Sequence, residues 1–514
     1  MENTLIYNVE DKPKFSKILV FAFQQVLAVL AATILVPVLI GLPVNIPSAI
    51  FGAGFGTIVY LLFTKFKSPV VISSSFAFIG ALCNAVAFGY MGIALGALFA
   101  GLVYVIIALI VKKVGTAWVK KLLPPVIIGP VVAIIGLSLA GSAAGQMVKG
   151  TGDAINGGYN LIALFCGLVT FFTVVICSVQ NKFKSLKLLP FIIGIGVGYV
   201  LATIFSIIGY VADAEYLQVI DWSPVVNNFK DIGVESFLSL PKFSLIEGIK
   251  ELANDKVSSD IVIAAYSNGK DAHVLTWMGV AEVALAFIPV AFVVFAEHIA
   301  DHTNLGTIIN RDLLNDEPGL SRTLLGDGVG SIAGTFFGVC PNTTYGESVG
   351  CVAITKNASI RTIFVAAWML VILSFLSPVT AVLRTIPDCV MGGVCLTLYG
   401  FIAVSGLKMF KEVDLNQNKN LFTVAAILIA GIGGLAIKIP YELTEVVVPA
   451  GEELVKGNLV TKFIEITSVA TALFLGIATY AVCNLVEKKT GKDDAPKAEV
   501  EAAPEAAEEP AESK

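Results

Sequence analysis

Charge is what this chain has least of. Only 14% of its 514 residues are Asp, Glu, Lys or Arg, where a soluble domain carries roughly 25%. So few charges cannot clothe a water-facing surface, which excludes an ordinary soluble protein. Histidine occurs three times in all, and the eight cysteines contain no C-x-x-C pair. Neither a zinc site nor a disulfide framework is indicated, and no metal or cofactor is expected. The net charge of −5 argues against a nucleic-acid partner. Period-two alternation is not apparent either, which argues against an outer-membrane barrel.

What fills the chain instead is hydrocarbon: 56% of residues are hydrophobic. Apolar runs near the ~20 residues that cross a bilayer recur throughout, dotted with Gly, Ala and Ser for close packing. This is the pattern of an all-α polytopic protein solvated by membrane lipid. The first run, 18–40, follows Lys12, Lys14 and Lys17 and has no small-residue cleavage site, so it reads as a retained helix. Runs near 46–63, 70–89, 91–111, 122–141, 160–180 and 188–210 follow. Later runs fall near 276–304, 324–339, 342–355, 361–385, 389–407, 420–438 and 463–486. Each half thus offers about seven crossings.

Basic residues set the orientation. Lys65 and Lys67, then Lys112, Lys113, Lys120 and Lys121, then Lys182, Lys184 and Lys187 occupy alternate loops. Arg311, Arg322, Lys356, Arg361, Lys408, Lys411, Lys488 and Lys489 keep the same parity. By the positive-inside rule both termini are expected in the cytoplasm, and the acid-rich interruption 211–275 outside, as a loop or small folded flap. Residues 488–514 turn to Ala, Pro, Glu and Lys and are expected to form a disordered acidic tail.

One polar stretch is out of place in this setting: Pro341-Asn342-Thr343-Thr344-Tyr345-Gly346-Glu347-Ser348 lies between apolar segments. A carboxylate at bilayer depth costs roughly 2.5–3.5 kcal/mol and is usually kept for function. Proline, glycine and hydroxyl residues disfavour a continuous helix, freeing backbone N–H groups to face a ligand. The bland alternative is a polar loop between helices. A counterpart stands roughly 265–270 residues earlier, Ser73-Ser74-Ser75-Phe76-Ala77-Phe78, and Leu123-Pro124-Pro125 with Gly129 matches Ile386-Pro387-Asp388 with Gly392 at a similar offset. Two halves with an odd number of crossings form an inverted repeat, which places substrate at the midplane between broken helices. Short extended segments at 71–75 and 339–343, each leading into a half-helix, are therefore expected.

A third polar group closes the run 276–304: Ala296-Glu297-His298-Ile299-Ala300-Asp301-His302. On a helix Glu297 and Asp301 share one face and His298 and His302 the adjacent one. A buried acid with a second polar group one turn away suits a proton-coupled carrier; the alternative is a helix simply ending at the interface. Gly326-Asp327-Gly328-Val329-Gly330 looks superficially like a dinucleotide loop, but no strand–turn–helix unit surrounds it, so close helix packing is expected. Asn342-Thr343-Thr344 matches the glycosylation triplet, at a depth where it would not be modified.

These motifs resemble the uracil branch of the nucleobase/ascorbate transporter family, also called nucleobase:cation symporter type 2. The resemblance rests on Phe23-Gln24 with Val36-Pro37-Val38-Leu39, on Ser74-Ser75-Phe76-Ala77-Phe78-Ile79, on Lys112-Lys113-Val114-Gly115-Thr116, on Ala296-Glu297-His298 and above all on Asn342-Thr343-Thr344-Tyr345-Gly346-Glu347. It covers nearly all the membrane part. It implies about fourteen segments in two inverted sevens, with a core domain (18–121 and 276–386) moving against a gate domain (122–210 and 387–487). It implies uracil import across the plasma membrane coupled to protons, no enzymatic activity, and leaves a homodimer open. Carried over by position, Glu297 and Glu347 would bind the base, with Phe76, Gly346, Tyr345 and Ser75 around it. Glu297, Asp301 and His298 would handle the proton. Gln25 and Asp301 stand where uracil carriers of the family often have histidine, and Asp at the latter position is more familiar in the xanthine and urate branch. Sodium in place of protons stays open, and an ion channel and an intramembrane enzyme are the rival classes, neither of which accounts for two matched breaks.

Overall fold

The structure, a computed structural model, describes residues 5–150, 159–180, 182, 186, 189–268, 270–450 and 453–490. Lys184, Lys187 and the tail from 491 onward lie outside the described residues. Long apolar runs give α1 (Phe15–Leu39), with Pro37 in its last turn, α2 (Ile46–Phe63) and, after a break, the half-helix α3 (Ile79–Ala85) and α4 (Gly89–Val114). Then come α5 (Pro125–Ser138), α6 (Leu161–Val179) and α7 (Pro190–Val211). The later part holds α8 (Trp277–Ile309), α9 (Gly319–Phe336), the half-helix α10 (Gly346–Thr355), α11 (Ile360–Phe375), α12 (Asp388–Lys408), α13 (Asn418–Ile432) and α14 (Ser468–Thr490). Among the described residues nine helical segments are long and apolar enough to cross a membrane. Side chains such as Phe172, Ile176, Val200 and Ile207 point outward from α6 and α7, as expected of helices in contact with lipid rather than water.

Several boundaries differ from those expected. The run 361–385 is broken at Leu376, whose ψ of 90° is not helical, and Pro378, in the first turn of a new helix, Ser377–Arg384, has no N–H to continue the preceding one. The run 420–438 stops early, at Gly433 and at Gly434 with φ +71°, a conformation costly to residues with a Cβ. Beyond it lies an unexpected antiparallel hairpin, β3 (Ile437–Ala450) with β4 (Glu453–Ile466). Its sequence is rich in β-branched residues and interrupted by Pro440 and Pro449, which favours strand over helix.

The two breaks meet. Ile72–Ser74 (β1) and Asn342–Thr344 (β2) pair antiparallel, Ser73 opposite Thr343. Strands this short inside a bundle leave backbone groups that hydrocarbon cannot satisfy, and side-chain hydroxyls take over. The Ile72 N–H donates to Thr57 Oγ1 (3.1 Å), the Val71 N–H to Ser348 Oγ (3.0 Å) and the Asn342 N–H to Ser331 Oγ (2.9 Å). The Ser75 N–H donates to the Pro341 carbonyl (2.9 Å).

Around this crossing the glycines do the packing. A Cβ on Gly330 would sit 2.9 Å from the Gly56 carbonyl oxygen, and one on Gly328 2.9 Å from that of Gly101. The Gly-Asp-Gly run is thus a seam between α9 and both α2 and α4. Helices α1, α2, α4, α9 and α11 pack on one another, as do α5, α6, α7, α12, α13 and α14.

Residues 211–275 fold onto one end of the bundle through short helices, including Ser244–Asn254 and Ser259–Ser267. The buried Glu251 carboxylate accepts from the Tyr90 N–H (2.8 Å) at the start of α4 and from the Ser258 N–H (2.9 Å). Asp260 accepts from the Tyr90 hydroxyl and from Lys242 Nζ, each at 2.6 Å. Burial pushes the Asp260 carboxyl up, but Lys242 and Tyr90 outweigh it and hold the group below its ordinary range.

Candidate functional site

Two half-helices begin where β1 and β2 end. After Ser74 the chain passes through Ser75 into a tight turn at Phe76–Phe78, and after Thr344 through Tyr345 into α10; neither start carries a side-chain cap. Such a start presents backbone N–H groups without intrahelical acceptors and a partial positive charge. Both face a cavity of ≈ 480 Å³ whose wall includes Ser75, Phe76, Tyr345, Gly346 and Glu347. That volume suits a small organic ligand.

Helix α8 supplies the third wall with Glu297 and Asp301, one turn apart. Asp301 Oδ2 accepts from the Thr344 hydroxyl (2.9 Å), which ties α8 to β2. Glu297 Oε2 is buried with no hydrogen-bond partner, as is the Ser75 hydroxyl. Buried polar atoms are normally satisfied, so these two give the cavity wall an acceptor and a hydroxyl that a bound ligand can use. The Tyr345 hydroxyl is committed to the Ser74 carbonyl (2.8 Å), leaving its ring as wall. Phe76 lies against Tyr345 (centroids 6.4 Å, 39°) and against Tyr399 of α12 (5.6 Å, 82°). The facing side comes from the second helix group, with Val132 of α5, Ser178 of α6, Phe191 of α7, and Phe401 and Ser405 of α12.

The structure therefore gathers Ser75, Phe76, Glu297, Asp301, Tyr345, Gly346 and Glu347 around one space. His298 is not among them. It is fully buried on the adjacent face of α8, with Nδ1 2.7 Å from Asp327 Oδ2 and Nε2 3.1 Å from Thr323 Oγ1. His302 stacks beneath it at 4.0 Å and reaches the Tyr60 hydroxyl (2.9 Å). The helical spacing that separates the two faces puts the acids at the cavity and the histidines behind it. Asn342 is also committed, its amide donating to the Gly52 carbonyl (2.8 Å).

The sequence alone does not show the roles of three contributors. Thr344 was seen only as part of a motif, not as the group that holds Asp301. Asp327 was absorbed into a packing seam, although a buried aspartate in an apolar helix is itself a signal. Gln25, 2% exposed, brackets α10: its amide donates to the Ser348 carbonyl (3.3 Å) and its oxygen accepts from the Ser348 hydroxyl (3.0 Å).

Known proteins resemble this chain at both levels. It is 36% identical over 442 residues to the uracil permease of Bacillus caldolyticus, covering 85% of this chain and 90% of that one. It is 34% identical to the uracil permease of Bacillus subtilis (84% and 89% covered) and 32% identical to that of Escherichia coli K12 (84% and 88%). Among solved structures, the murine Slc26a9 anion transporter superposes with a TM-score of 0.57 at 10% identity, over 93% of this chain and 70% of that one. The transmembrane domain of the cyanobacterial bicarbonate transporter BicA gives 0.50 at 13% identity, over 83% and 97%. These distant structures share the fold. Residues 16–247 and 270–439 match the Permease family, Xan_ur_permease, and the chain belongs to that family.

Proposed function

We propose that this chain is a secondary carrier that imports uracil with protons across the plasma membrane. The observation that carries the reading is the cavity itself: two uncapped half-helix starts and two acids of α8 converge on it, and one Glu297 oxygen there lacks a partner. Uracil offers two N–H donors and two carbonyl acceptors on a flat ring. Glu297 and Glu347 would accept from its N–H groups, backbone N–H groups at Phe76 and Gly346 would donate to its carbonyls, and the rings of Phe76 and Tyr345 would pack on its face. The relatives named above are uracil permeases, which supports the same substrate.

Coupling follows from electrostatics. Several acids facing one cavity repel one another, so a proton taken by Glu297, with Asp301 close by, favours the loaded site. Its release on the other side requires that the surroundings change. The two helix groups supply the moving parts: α1–α4 with α8–α11 as core, α5–α7 with α12–α14 as gate, in two inverted sevens. The antiparallel pairing of β1 with β2, offset by 270 residues at Ser73 and Thr343, supports the repeat. His298, held by Asp327 behind the cavity, acts on the proton only through α8.

Competition for binding tests the substrate. Unlabelled uracil and thymine should displace labelled uracil, and uridine should not. A sugar on N1 removes a donor and leaves a buried acceptor unpaired, at about 1–3 kcal/mol. Displacement by xanthine or urate with none by uracil would move the chain to the purine branch.

A further inference from the structure

Half-helix α10 carries Gly346 and Glu347 at its front, and its far end, at Lys356 with φ +55°, is held by a part of the chain remote in sequence. Residues 5–11, ahead of α1, lie along the 356–360 connection. The Ile6 and Tyr7 N–H groups donate to the Lys356 carbonyl (2.8 and 3.2 Å), and the Ala358 N–H donates to Tyr7 O (2.9 Å). The Ile360 N–H donates to Val9 O (3.0 Å), and the Ser359 hydroxyl to Asp11 O (2.8 Å). Val9 is 1% exposed, and Ala358 and Ser359 are fully buried. Lys17 Nζ, on the first turn of α1, donates to the Tyr7 hydroxyl (3.1 Å), and the Tyr7 ring meets Phe21 edge-on.

A helix of ten residues is shorter than the ~12–15 that hold together unaided, so its placement is set by its surroundings. Gln25 and the Val71 N–H grip α10 near its front and α1 and α8 pack along it, while the 356–360 connection that follows its far end takes five bonds from the N-terminal segment. At 1.5 Å per residue the strapped end lies roughly 13 Å from Glu347, and a helix transmits a shift along its axis almost undiminished. We infer that residues 5–11 form a positioning strap that sets how far α10 reaches into the cavity, and thereby the affinity of the site for its substrate. The functional part of this inference rests on the reading of Glu347 as a substrate ligand.

Two readouts on the full-length protein in lipid separate the strap from that reading. Val9→Asp places a carboxylate in the buried seat beside the Ile360 N–H; Ile6→Ala, at a side chain 59% exposed, is the control. Val9→Asp should speed amide hydrogen exchange across 346–355 by roughly tenfold or more. It should also raise KM for uracil by roughly fivefold or more, with the maximal rate within about twofold, while Ile6→Ala changes neither. If Val9→Asp fails to assemble, removal of residues 2–9, which leaves α1 whole, is read the same way. Unchanged exchange across 346–355 would overturn the strap. Faster exchange with unchanged KM would leave the strap standing and overturn its link to affinity, whereas uracil binding that survives Glu347→Ala would overturn the reading of Glu347 as a ligand. A lower maximal rate at unchanged KM would overturn the link to affinity.

Discussion

At the scale of single residues, the site is built by assigning each polar group either to the fold or to the cavity. Tyr345 and Ser348 spend their hydroxyls on backbone and on Gln25, and the Asn342 Nδ2 goes to the Gly52 carbonyl. Glu297 keeps one oxygen unspent, and Asp301 is steadied by Thr344. Thr344→Val should therefore raise KM for uracil roughly tenfold, because it strips the buried Asp301 of a hydrogen bond whose loss costs about 1–3 kcal/mol. Thr344→Ser should restore most of it, and uptake kinetics of the pair decide the matter. Glu347→Ala should abolish uracil binding while leaving the amount and thermal stability of the inserted protein unchanged, since removing a carboxylate does not harm the bilayer fit. Concurrent loss of folded protein would mark the residue as structural.

At the scale of elements, the broken helices were legible and the hairpin was not. Ser73 to Ser75 and Asn342 to Thr344 stand out because polar, helix-averse residues interrupt hydrocarbon, and the paired strands fall on them. Ile437–Ala450 and Glu453–Ile466 were hidden because the residues between 438 and 463 belong to no apolar run, and membrane-span length was the signal being read. The N-terminal strap left still less trace, for its bonds are made by backbone groups that any sequence carries. The glycine seam was read for packing, and the structure gives it a test. Gly328→Val would press against the Gly101 carbonyl and the Tyr104 side chain and should cost about 1–3 kcal/mol through overpacking. A thermal melt unchanged from wild type would show that α4 and α9 can part without penalty.

At the scale of the whole molecule, the segment 211–275 gives the bundle a capped end, and orientation can be read from it. A cysteine at Ser258 should label from outside intact cells; labelling only after the membrane is opened would reverse the topology and with it the inverted-repeat reading. The cap should also respond to pH in one direction. Because Asp260 is held below its ordinary value of 3.8 in the folded state, its attachment contributes fully above that value and is lost as pH falls through the lower folded one. Proteolytic protection of the cap should thus persist at neutral pH and fail only in strong acid, and Asp260→Asn should weaken it at neutral pH and remove that acid step. Protection that instead fades as pH rises would contradict the assignment.

The most direct test of the account is accumulation of labelled uracil in proteoliposomes under an imposed inward proton gradient, with wild type and Glu297→Gln side by side. The wild type should concentrate intact uracil saturably, and the variant should lose proton-driven accumulation. Ohmic current, a chemically altered product, or a variant that still concentrates uracil under the gradient would contradict it.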